Sequence, residues 1–111
     1  MYKPFIVLST LLLCQGCGES CATFANREYR PVEYNFVVRD KHTEEIRYNV
    51  IEGTNTKGKT EIFRQAGFDK MYDLAAPGDT LRKKAGDLTT YLIKKDRIFK
   101  FPYQCGGVSI Y

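Results

Sequence analysis

The sequence predicts a mostly β (or α+β) fold: a small antiparallel β sheet, sandwich or barrel-like, with one short helix. Three observations lead there. Apolar and polar side chains alternate in short runs, clusters of Gly, Asn, Asp and Pro separate those runs, and helical spacing occurs in only one stretch. The core material agrees, with eight Tyr, seven Phe and no Trp; aromatic and β-branched side chains suit a pleated, half-buried surface.

The first strand is expected from Val32, with Val32, Tyr34, Phe36 and Val38 on one face and Glu33, Asn35 and Arg39 on the other. Asp40-Lys41-His42-Thr43 reads as a polar turn, after which Ile46, Tyr48 and Val50 form the inward face of a hairpin partner. Gly53 to Gly58 is a second turn cluster, rich in residues that tolerate positive φ. Residues 60–63 open a strand or a helical turn. Phe68, Met71, Tyr72, Leu74 and Ala75 recur at three- and four-residue spacing, which predicts a short helix capped near Asp69 and ended by Pro77-Gly78. In Pro77-Gly78-Asp79-Thr80-Leu81, Asp79 is expected to bind nearby backbone amides while Leu81 enters the core. Lys83-Lys84-Ala85-Gly86-Asp87 makes a turn, Thr90 to Ile93 a strand, Lys94 to Arg97 a charged hairpin turn and Ile98 to Phe101 its partner. Pro102 is expected to interrupt, and Val108 to Tyr111 to close the sheet after Gly106-Gly107.

Ahead of this body stands a leader. One positive charge at Lys3 precedes an apolar run from Phe5 to Leu13. That run is too short for a spanning helix, which needs about 20 residues, but it has the size and flanks of a signal peptide. Gly16-Cys17 follows. A Leu-rich run leading into a small residue and then a cysteine resembles the bacterial lipoprotein signal, of the looser Bacteroidota type. Cys14 and Gln15 stand where that family prefers an aliphatic and a small residue. The resemblance implies cleavage after Gly16 and lipidation of Cys17. Two other schemes stay open: a secretory cut after Ala22 in Ser20-Cys21-Ala22, or an uncleaved chain using Cys14, Cys17 and Cys21 as metal ligands.

Cysteine parity bears on the choice. Of four cysteines, the lipoprotein scheme removes Cys14, modifies Cys17 and leaves Cys21 and Cys105 as a pair. The secretory cut strands Cys105 alone in an exported protein. The expected organisation is therefore a signal peptide over 1–16, a lipid-anchored tether over 17–30 and a small β-rich domain over 31–111. Gly78, Asp79, Thr80, Leu81, Lys83, Lys84, Gly86 and Tyr91-Leu92-Ile93 are also similar to a segment of small uncharacterised Bacteroidota-type lipoproteins, a likeness that implies a location and no activity.

Charge argues against a nucleic-acid partner. The formal net charge is +4 and loss of Lys3 leaves +3, with acids interleaved among the bases; nucleic-acid binders cluster them on one face. No nucleophile elbow, metalloprotease helix or P-loop is present. His42 reads as a solvated turn residue. Glu44 with Glu45, and Asp79 with Asp87, are the carboxylate pairs a glycan hydrolase would require, and turn caps are the simpler reading for the aspartates. Lys83, Lys84, Lys94, Lys95 and Arg97 form a candidate basic edge, and Gly53 to Lys59 a loop that an inhibitor would insert. No catalytic residue, cofactor or metal site is expected. The expected function is a non-enzymatic, lipid-anchored envelope protein, a binding or accessory module for another envelope protein. The alternatives are a small envelope hydrolase or an inhibitor of an envelope enzyme, and for location a secreted protein.

Overall fold

A computed structural model describes residues 19–111. Seven strands, β1 (Tyr34–Glu44), β2 (Tyr48–Asn55), β3 (Thr60–Ala66), β4 (Thr80–Lys83), β5 (Thr89–Ile93), β6 (Ile98–Cys105) and β7 (Val108–Ile110), form one antiparallel sheet in the order β3-β2-β1-β4-β5-β6-β7. It curls into a half-barrel. A short helix α1 (Cys21–Phe24) continues as a π-helical turn (Ala25–Tyr29), and α2 (Asp69–Leu74) follows β3. The expected mostly β antiparallel fold is therefore what forms. Cys17 and the leader lie outside the described residues.

The alternation in β1 places Tyr34, Phe36 and Val38 inside and Asn35, Val37 and Arg39 outside. The strand does not turn at Asp40. It runs on through His42 to Glu44, because a bulge between Val38 and Asp40 absorbs Arg39 and lets Asp40 to Glu44 keep pairing with β2. The real turn is Glu45-Ile46-Arg47, where Glu45 and Ile46 adopt φ of 51° and 69°. Ile46, expected in the core, is wholly exposed at its tip. In β2 the buried apolar side chains are Val50 and Ile51. Ile51 faces the core with Phe63, while Val50 is covered on the other face, between His42 and Arg64 in the register. Gly53 is a strand residue and not part of a turn. A Cβ there would sit 1.8 Å from the Val37 carbonyl oxygen, so only glycine permits β1 and β2 to approach at the bulge. The turn proper is Thr56 to Gly58, tied by the Asn55 carboxamide oxygen accepting from the amides of Lys57 and Lys59.

Residues 21–30, expected within the tether, belong to the domain. Ala25 and Tyr29 are fully buried, and the Tyr29 hydroxyl meets the Thr90 hydroxyl at 2.5 Å. Arg30 donates to the carbonyls of Gly86 and Tyr111 and to Asn26 Oδ1. This stretch, without clear periodicity, folds because Tyr29 finds Thr90 across the sheet, a partner that no local pattern reveals.

Lys83 departs furthest from expectation. It is the last residue of β4 and is fully buried. Its ammonium donates to the carbonyls of Arg30, Val32 and Lys84 and lies 5.0 Å from the Tyr29 ring centre. Three donors meet three acceptors, the condition under which a buried ammonium is tolerated. Desolvation still holds its pKa below the usual lysine value, with Arg30 adding repulsion.

β4 begins as expected. Asp79 Oδ2 accepts from the Ala76 amide at 3.0 Å, and Leu81 is fully buried. β6 passes through Pro102, which is the last residue paired to β5; beyond it Tyr103 to Cys105 pair with β7. A residue without an N–H is harmless where a ladder ends. In α2 Met71 is buried, but the N-cap is Phe68, at φ 58°. Asp69 is not the cap: its carboxylate accepts from Asn49 Nδ2 at 2.8 Å.

Candidate functional site

The half-barrel leaves a gap between its β3 side and its β6 side, and aromatic rings fill the inner part of it. Phe63 of β3 meets Phe68 edge-on at 5.4 Å. Phe68 lies 5.5 Å from Tyr29 and 6.0 Å from Tyr103, and Tyr29 lies 5.3 Å from Tyr103. Four elements thus converge: the π-helical turn, β3, the entry to α2 and the second half of β6. The positive φ of Phe68 directs its ring into this cluster, a conformation disfavoured for a bulky residue and retained only where packing enforces it.

Outside the rings lies an open cleft of about 610 Å³, lined by Gly67, Phe68, Lys70, Lys100, Phe101 and Tyr103 among others. Its walls are aromatic and its rim carries two lysines. Among the described residues neither Lys70 nor Lys100 takes part in an ion pair. Burial pushes the Tyr103 phenol above its usual pKa, so it stays a neutral donor. The cleft thus offers aromatic faces and two ammonium groups, with the Asp69 carboxylate in the same lining held by Asn49. The spacing in Phe101-Pro102-Tyr103 was the only local sign of it.

The residues singled out from the sequence are dispersed. Asp79 is held by the Ala76 amide and by Lys94 Nζ, while Asp87 is exposed in the turn after β4. They flank β4 at its two ends, too dispersed to act on one bond. Lys83 is interior and Lys94 is paired, so the five-residue basic edge does not form. His42 and Glu44 do come together: His42 Nε2 lies 2.9 Å from Glu44 Oε2, and Arg64 Nε donates to Oε1 at 2.9 Å. The Arg64 guanidinium carbon lies 3.9 Å from the Tyr48 ring centre. Hydrogen bonds from His42 and Arg64 hold the Glu44 carboxyl below its usual pKa, which makes it a poor proton acceptor at neutral pH. Glu45 lies in the exposed turn. Among the described residues no group of three or more His, Cys, Asp or Glu gathers as for a metal ion, and no helix is long and apolar enough to cross a membrane.

Cys21 and Cys105 are joined, with Cα atoms 5.7 Å apart and a sequence separation of 84. The bond ties α1 to the end of β6. What emerges is a disulfide-clasped antiparallel half-barrel with an aromatic, lysine-rimmed cleft. No family model, no curated protein and no solved structure matches this chain.

Proposed function

We propose that this chain is an exported, lipid-anchored envelope protein whose small β domain is a non-enzymatic binding module. The observation that carries the export reading is the Cys21–Cys105 bond, because disulfides persist in oxidising compartments and are rare in the cytosol. The leader and Gly16-Cys17 supply the anchor. The cleft between α2 and β6 supplies the binding surface: it engages an acidic, aromatic-bearing segment of another envelope protein, with Lys70 and Lys100 providing the charge complement.

Intact mass of protein purified from its native membrane, before and after reduction, tests the anchor and the clasp together. The expected mass is residues 17–111 plus acyl groups, rising by about two daltons on reduction. An unmodified chain beginning at Thr23 overturns the anchor.

A further inference from the structure

The leader sequence and the disulfide together constrain where the domain sits. Ser20 already belongs to the fold: its hydroxyl accepts from the Thr23 amide at 3.1 Å and its carbonyl from the Phe24 amide at 3.0 Å. Glu19 is paired with Arg27. From Cys17 to Ser20 is three Cα steps, a reach of at most about 11 Å. A freely mobile tether needs several times that length. One residue further on, Cys21 is bonded to Cys105, so the constraint passes directly into β6 and the sheet.

That end of the domain carries two exposed apolar side chains. Phe24 lies one helical turn after Cys21, on the same side of α1, and is 44% exposed. Val108 stands directly opposite Cys105 in the β6–β7 hairpin and is 64% exposed. The turn between them is Gly106-Gly107, which has no side chains to hold the surface away. The Arg27 guanidinium lies 5.9 Å from the Phe24 ring centre and is paired with both Glu19 and Glu28, so its charge is balanced beside the ring.

We infer that the disulfide end of the domain is a membrane-contact surface, with Phe24 and Val108 entering the headgroup layer of the bilayer that holds the lipid on Cys17. The inference rests on lipidation at Cys17. It fixes an orientation: β6 rises away from the membrane from Cys105 towards Ile98, so the cleft residues Lys100 to Gln104 lie along the strand just above the contact surface.

The absence of Trp from the chain makes a direct test available. Phe24→Trp, Val108→Trp and, as the distal control, Ile98→Trp are each purified in lipidated form. Ile98 is 60% exposed and stands about 23 Å along β6 from Cys105, at about 3.3 Å per residue. Intact mass is recorded first, and the proteins are then returned to phosphatidylethanolamine–phosphatidylglycerol vesicles with brominated acyl chains. Emission at positions 24 and 108 is expected to fall by about half relative to unbrominated vesicles, as for side chains about 5–10 Å into the interface, while position 98 is unchanged. An acylated protein quenched at none of the three positions, or equally at all three, overturns the orientation and leaves the anchor standing. A protein without acyl mass overturns both.

Discussion

Lys83 donates to the carbonyl of Val32, 51 residues away in the chain, and so fastens the entry of β1 to the end of β4. The same ammonium holds Arg30 and Lys84. Replacing it with an apolar side chain of similar length removes a desolvated charge but leaves the Val32 and Lys84 carbonyls without this donor. Unsatisfied buried acceptors cost about 1–3 kcal/mol each. Lys83→Met is therefore expected to lower unfolding stability by about 2 kcal/mol in urea titration. A stability equal to or above that of the parent would mean that the carbonyls are satisfied by water.

Tyr29 gives a pH prediction. Burial raises its phenol pKa far above the ordinary 10, opposed by the hydrogen bond to Thr90. A group whose folded pKa is raised stabilises fully below the unfolded value, and the stability is lost as pH climbs towards the folded value. Stability should therefore begin to fall above pH 10, and the fall should be shallower in Tyr29→Phe. Tyr34 and Tyr103, also raised by burial, contribute the remainder. At neutral pH Tyr29→Phe leaves the Thr90 hydroxyl without this partner at a cost of about 1 kcal/mol. Adding Thr90→Val should recover part of that, as measured by a double-mutant cycle.

Reduction of Cys21–Cys105 should destabilise the domain strongly. Opening a loop of 84 residues' separation restores denatured-state entropy worth about 4 kcal/mol in the chain-entropy model. Thermal unfolding of the Cys21→Ser/Cys105→Ser protein should show a Tm lower by more than about 10 °C. A shift of only a few degrees would place the stability in the aromatic core instead.

Gly53→Ala addresses the bulge. The new methyl would overlap the Val37 carbonyl and the Phe36 ring, at 1.8 and 2.7 Å. Backbone on one side and a core aromatic on the other leave little room to yield, so the expected cost is about 3 kcal/mol or more. Near-parental stability by circular dichroism would show that the two strands separate easily.

The cleft is testable with an aromatic anion. Anilinonaphthalene sulfonate should bind the folded domain with enhanced fluorescence. Lys70→Glu/Lys100→Glu should weaken that binding about tenfold, equivalent to about 1.4 kcal/mol. Unchanged affinity in the double variant would separate the probe from the cleft.

The sequence by itself determined what depends on local period and parity. Alternation located β1, β5 and β6, the Asp79-Thr80-Leu81 turn followed from the ability of aspartate to hold neighbouring amides, and cysteine counting selected Cys21 with Cys105. Tertiary structure decided whatever depends on a partner far along the chain. Lys83 and Lys84 are adjacent lysines with the same composition around them, yet one is interior because the carbonyls of Arg30 and Val32 lie opposite it. Asp40 to Thr43 read as a turn and became strand because β2 was available to pair with them beyond the bulge. Tyr29 read as tether and became core because its hydroxyl finds that of Thr90, 61 residues on. The cleft joins Lys70 to Lys100 across the gap of a curled sheet, and curl is a property of the whole sheet that no single strand encodes.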